Sequence, residues 1–406
     1  MNALLDGMRF LCDGTHMLTG ITAAYGTPSQ HEACLYGNAQ ETALTDSGFI
    51  PCCRPLQENS IFDLASLTKL FTAILIMRLT EMGRLDLNES IGGIDPRFIH
   101  LRETTVFDVL CFRACLQTPG RIDDAPDRNE GLARLFAVHE APLPRIRIYS
   151  DINAMVLKYI VEARSGMAFA DAVRAYILDP AGMQDTYACI PPAQRDRCVC
   201  YNYEHRIAGD RYSLRTDVPP GTPHDPKSLL LSEGGRDLCG HAGLFSTRDD
   251  MVRLAQSLLR GELLSSESLC AIGTDRTGID YGDGTYRQYL GFQCFAKHPW
   301  QHLSEVPAWM SDRSLGLSGF TGNHLSIDPV RSRFVLFLGN RCHARVSHII
   351  PPKDQDITSY GLADDGTGRI IWPDGRAVPS SARYVYFKDE RLHTPIERRM
   401  RTLVWL

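Results

Sequence analysis

The sequence predicts a mixed α/β (α+β) protein in which strands from both ends of the chain share one sheet around an inserted, mainly helical middle. Three observations carry this expectation. Strand-like segments open the chain at 17–25 and 33–36, with Gly26, Pro28 and Ser29 as turn residues between them. Strand character returns only late, at 289–295, 319–327 and 334–338. Between them, from about 66 to 260, the apolar spacing is helical, and the longest runs are 66–82, 151–165, 168–178 and 248–259. Such bracketing predicts one lobe from 1–65 plus 285–350 and a second, helical lobe from 66–284, with a cleft where they meet. Residues 351–406 are left as a C-terminal appendix, with Trp372-Pro373-Asp374-Gly375 read as a hairpin turn.

Composition narrows the class. At 406 residues and 44% hydrophobic the chain is long and apolar enough to bury a large core, which excludes disorder. The net charge is -5 and no basic stripe is present, so no nucleic-acid partner is expected. The longest apolar block, 70–77, is too short to span a bilayer, so no membrane partner is expected either. Asp6, Arg9 and Asp13 interrupt the N-terminal apolar residues before a secretory core can form. The 13 cysteines then read as free thiols in a cytoplasmic protein, and the absence of a CxxC pair predicts no metal site. No Gly-x-Ser-x-Gly elbow, HExxH or dinucleotide fingerprint occurs, which argues against other hydrolase and cofactor chemistries.

The segment beginning at Ser66 is the most informative. Leu67, Leu70, Phe71, Ala73, Ile74, Leu75 and Met77 surround the helix axis, as expected of a core helix. Lys69 nevertheless stands in its first turn, and only six of the 43 basic residues are lysine. A buried ammonium is either paired or has its pKa pushed down. Ser66 and Lys69 are at i and i+3 and share a face, with Ser66 expected at the helix N-terminus. A hydroxyl beside a lysine of depressed pKa is an activated nucleophile. The plain alternative is a capping serine and a lysine that snorkels to the surface.

The run Ile61-Phe62-Asp63-Leu64-Ala65-Ser66-Leu67-Thr68-Lys69 resembles the nucleophile motif of class C β-lactamase-like and penicillin-binding-protein-like serine hydrolases. Tyr149-Ser150-Asp151 resembles the family's Tyr-x-Asn motif, in the form found in its esterase and peptidase branches. The segments 176–186 and Gly240-His241-Ala242-Gly243-Leu244-Phe245-Ser246-Thr247 resemble scaffold runs of the same family, and no chemical role is assigned to His241. Leu317-Ser318-Gly319-Phe320-Thr321-Gly322 fills the place of its third motif, but with Leu317 where the family carries a cation for the substrate carboxylate. The loop 110–120 also departs from the family pattern.

The resemblance covers roughly residues 1–350. It implies an antiparallel sheet flanked by helices, with no cofactor. The implied catalytic residues are Ser66, Lys69 and Tyr149, with the backbone N–H groups of Ser66 and Phe320 as the oxyanion hole. Asp151, Leu317, Ser318 and Gly319 are the implied substrate-binding residues. Neutral Lys69, directly or through Tyr149, is expected to take the Ser66 proton. Leu317 points to small-molecule ester or amide substrates with neutral acyl groups, since an apolar side chain cannot pair with a carboxylate. Two rivals remain: a D-alanyl-D-alanine carboxypeptidase or β-lactamase, and a non-catalytic sensor that kept the fold. His224-Asp225 is read as shaping a loop.

Overall fold

The computed structural model describes residues 2–141, 149–233, 237–277, 288–299, 305–351 and 368–405. Seven strands form one antiparallel sheet in the spatial order Phe295–Ala296, Leu315–Gly319, Asn323–Asp328, Arg333–Gly339, Gly20–Gly26, His31–Thr45, Gly48–Pro55. The two ends of the chain meet at its centre, where Ile21 lies opposite Gly339 and Gly26 opposite Phe334. Both central strands are buried along their whole length, because helices cover both faces.

The late strands depart from the expected bounds. The expected strand at 319–327 is two strands, broken where Phe320-Thr321-Gly322 turns the chain and Gly322 adopts φ +114°. Of the expected strand at 289–295 only Phe295 pairs in the main sheet, because the chain bends through Gln293, whose φ is +54°. Local alternation could not register either break.

One face of the sheet carries the helical core. The Thr68–Glu81 helix has eleven of its fourteen residues buried, which is why its apolar residues run all round it. It packs against the Asp151–Ser165 helix, and both share a cluster with Leu317, Leu325 and Leu336 from the sheet. The other face is covered by the Asn2–Arg9 helix and by the C-terminal helices Tyr384–Lys388 and Thr394–Thr402. Leu392, Ile396 and Met400 pack there with Leu4, Met8, Ile21 and Phe337. The segment read as an appendix is thus a structural layer, and Tyr384 ties it to the sheet by donating to the Gly322 carbonyl at 3.0 Å. Its periodicity was too short to reveal which surface it covers.

The turn at Trp372-Pro373-Asp374-Gly375 joins the paired strands Arg369–Ile371 and Ala377–Pro379. The mainly helical middle is not free of strands, and it supplies part of a second sheet. His205–Ala208 pairs in parallel with Val346–Ile350 and antiparallel with Arg211–Leu214, forming a small second sheet. The expected lobe boundary at 284/285 lies outside the described residues. Among the described residues no helix is long and apolar enough to cross a membrane.

Candidate active site

Asp63 organises the turn that presents Ser66. It is fully buried in a two-stranded pairing of Phe62–Asp63 with Phe245–Ser246. Its carboxylate accepts from the Ala65 N–H at 2.8 Å and the His224 N–H at 2.7 Å. Its carbonyl accepts from Thr321 Oγ1 at 2.9 Å and Asn323 Nδ2 at 2.7 Å. One residue therefore ties together the serine turn, the 224 loop and the turn after the Leu315–Gly319 strand. Burial raises its pKa in spite of those hydrogen bonds.

Ala65, bound to Asp63, takes a left-handed φ of +47°, a strained conformation for a residue with a Cβ. Ser66 consequently sits in a 3-10 turn, Ala65–Leu67, and the α-helix begins only at Thr68. The expectation that Ser66 heads the α-helix is corrected by that kink. Gly319 closes the opposite side, where an added Cβ would stand 2.7 Å from the Leu64 carbonyl. Only glycine lets the strand end approach the serine turn this closely, bringing Phe320 to the cleft.

Lys69 is completely buried, and its Nζ donates to Ser66 Oγ at 2.9 Å and to the His241 carbonyl at 3.3 Å. Asp151 Oδ1 lies 2.7 Å from the same nitrogen. Burial alone would push the Lys69 pKa down, but Asp151 and Tyr149 together more than offset it and the direction is up. The ion pair with Asp151 thus favours the ammonium form of Lys69, against the neutral lysine expected from the sequence. The sequence marked the burial of Lys69 but not the partner 82 positions away that favours its charged form.

Tyr149 and Asp151 flank the start of the Asp151–Ser165 helix, whose N-cap Ser150 accepts from the Ile152 N–H. The Tyr149 ring is stacked on Phe295 at 5.1 Å and lies 5.4 Å from Phe112 of the divergent 110–120 loop, while Lys69 Nζ sits 4.8 Å from its centre. Its hydroxyl is buried and makes no hydrogen bond of ordinary geometry among the described residues. Burial raises its pKa, although Lys69 and Ser66 are near enough to pull it the other way.

Asp151 is shared. Lys227 Nζ lies 3.0 Å from Asp151 Oδ2 and 3.4 Å from Asp225 Oδ2, and Asp225 Oδ1 meets His241 Nε2 at 2.8 Å. A chain of polar contacts thus runs from Ser66 through Lys69, Asp151, Lys227 and Asp225 to His241. Asp225 also caps the Pro226–Leu231 helix by accepting from the Ser228 N–H. His224 lies under Phe320, rings 5.4 Å apart and stacked, with Nε2 3.0 Å from Glu204 Oε2. His224-Asp225 therefore shapes its loop and lines the cleft as well.

The cleft has a volume of about 370 Å³, and Ser66, Tyr149, Asp151, Lys227 and Phe320 are among its walls. Leu317 and Ser318 are not. The Leu317 side chain is fully buried in the helical core, and Ser318 Oγ faces the other way, donating to Glu305 at 2.6 Å. Of the residues expected to bind substrate, Asp151 lines the cleft, and neither the Leu317 nor the Ser318 side chain turns into it. Sequence reasoning missed Lys227, Arg206, Arg121 and His348, which do line it.

Among the described residues two trios have the ligand types for a cation, Asp151 with Asp225 and His241, and Glu204 with His224 and Cys342. Both already hold protein cations: Lys69 and Lys227 in the first, Arg206 and Arg215 in the second. A metal ion there would have to displace them.

The fold and this geometry define a serine hydrolase of the β-lactamase type. Residues 44–352 match the Beta-lactamase family model, and the chain belongs to that family. A Salmonella gallinarum protein named "Putative D-alanyl-D-alanine carboxypeptidase" is 28% identical over 347 residues, covering 76% of this chain and 75% of that one. The structure of "EstCE1, a hydrolase with promiscuous acyltransferase activity" superposes with a TM-score of 0.65 at 16% identity, over 84% of this chain and 93% of that one. A class C β-lactamase from Rhodobacter sphaeroides gives 0.62 at 19%, over 84% and 95%.

Proposed function

We propose that this protein is a serine acyl hydrolase or acyltransferase that forms an acyl-enzyme on Ser66 from an ester or amide. The observation that carries this reading is the 2.9 Å contact between Ser66 Oγ and a buried Lys69 that lies 2.7 Å from Asp151, beside a cleft open to a substrate.

In the mechanism we favour, Ser66 Oγ attacks the carbonyl carbon, and its proton passes to the Tyr149 oxygen in the same step as that phenol releases its own to the leaving-group oxygen or nitrogen. The phenol thus ends as it began. Lys69, as an ammonium, stabilises the negative charge that develops on Oγ during this exchange. The raised Tyr149 pKa suits a group that must stay protonated until the leaving group takes the proton. The N–H groups of Ser66 and Phe320 would hold the carbonyl oxygen as it becomes an oxyanion. Water completes hydrolysis, and an alcohol or amine completes transfer.

A second reading, cleavage of a D-alanyl peptide, is supported by the name of the Salmonella relative and by the cations that line the cleft. Both readings share Ser66. Ser66→Ala should lower turnover of a p-nitrophenyl ester by several orders of magnitude, and Tyr149→Phe by about 10²-fold. Wild-type turnover in Ser66→Ala would refute the reading.

A further inference from the structure

The strand that carries Leu317 offers the cleft no cation, yet the cleft is not short of positive charge. Arg206 and His348 are register partners on the parallel strands His205–Ala208 and Val346–Ile350, and both line the cleft that contains Ser66. Arg206 Nε donates to Glu204 Oε2 at 2.6 Å. Its two terminal nitrogens have no hydrogen-bond partner among the described residues, and its side chain is 24% exposed.

The acids nearby are already engaged. Glu204 is fully buried and is shared among Arg206, Arg215, His224 and Ser347. Asp123 pairs with Arg121 at 2.5 Å, while Asp151 and Asp225 are held by Lys69, Lys227 and His241. Arg341 lies 5.0 Å above the Phe320 ring and donates to the Ser347 carbonyl at 2.8 Å, with no carboxylate in ion-pair reach among the described residues. The field is felt at His348. Burial lowers its pKa, Arg206, Arg121 and Arg341 lower it further, and Glu204 opposes them.

We propose that Arg206 and His348 form an anion subsite in the cleft that receives a carboxylate of the substrate, taking over the role that position 317 does not fill. The paired terminal N–H groups of a guanidinium match the two oxygens of a carboxylate. This assignment rests on the acyl-enzyme reading for its place in a reaction, and it reverses the preference for neutral acyl groups expected from Leu317. Nothing in it requires Leu317 to touch substrate.

The test separates the two claims. The His348 ring resonance, assigned by its absence in His348→Asn, is titrated in the full-length protein with glutarate and separately with inorganic phosphate. In the same preparations kcat/KM is compared for p-nitrophenyl butyrate and mono-p-nitrophenyl glutarate. Glutarate is expected to bind saturably and raise the His348 pKa, because an adjacent anion favours the imidazolium. In Arg206→Gln its affinity should fall on the order of tenfold or more, with partial rescue in Arg206→Lys. The glutarate-to-butyrate ratio should fall in parallel. If Arg206→Gln does not fold, His348→Asn carries the ratio measurement. Glutarate binding without ester turnover would leave the subsite standing and remove the acyl-enzyme reading. Ester turnover with equal kcat/KM on the pair and an unmoved His348 would overturn the subsite alone, as would a response to phosphate but not glutarate.

Discussion

The two walls of the cleft are held in place by different forces. On the helix side, Ser66, Lys69 and Asp151 are ordered by ion pairs and charge-assisted hydrogen bonds inside the protein. On the sheet side, the Leu315–Gly319 strand is fixed by apolar packing of Leu315 and Leu317 and by the closeness that Gly319 permits. Chemistry is therefore concentrated on one wall. The other supplies a rigid backbone, and charge enters from loops and from the small second sheet. A substituted third motif is for this reason a poor guide to substrate charge.

Substitutions on the two walls should therefore behave differently. The larger effect is expected at Leu317, which the structure makes a core residue. Leu317→Ala should cost about 2–4 kcal/mol in chemical denaturation, by the same amount across the pH range. It should leave the glutarate-to-butyrate ratio unchanged. A shifted ratio with little loss of stability would return Leu317 to the substrate site.

The smaller effect is expected at Asp151. Burial would raise its pKa, but Lys69 and Lys227 override it and hold the carboxyl below its ordinary range. A carboxyl whose folded pKa is depressed contributes stability above its unfolded value near 4, and that contribution is lost as pH falls toward the folded value. Asp151 is partly exposed, so its share is about 1 kcal/mol. Wild type should lose this increment below about pH 4, and Asp151→Asn should not. Parallel acid profiles for the two proteins would show that the pair does not act as described.

These differences also explain what could be read from the sequence. Ser66 with Lys69, and Tyr149 with Asp151, are separated by two or three residues, so short motifs on helix starts revealed them. The Asp151–Ser165 and Arg248–Leu259 helices match their expected bounds because capping and apolar spacing are local signals. Arg206 and His348 become neighbours only through a parallel strand pairing across 142 positions, which no local pattern announces. Lys227 reaches Asp151 from a six-residue helix whose only visible signals were a proline and a capping aspartate. The Lys69 charge depends on a contact of the same long-range kind. Asp63 was visible within the serine motif, but its four hydrogen bonds were not.

The central claim is that Ser66 is the nucleophile. Its most direct measurement is intact-mass spectrometry, with peptide mapping, of protein acid-quenched during turnover of a p-nitrophenyl ester. A gain of one acyl group is expected on the peptide containing Ser66, with no adduct in Ser66→Ala. An ester turned over at the wild-type rate with the acyl group on another residue, or the same adduct in Ser66→Ala, would contradict it.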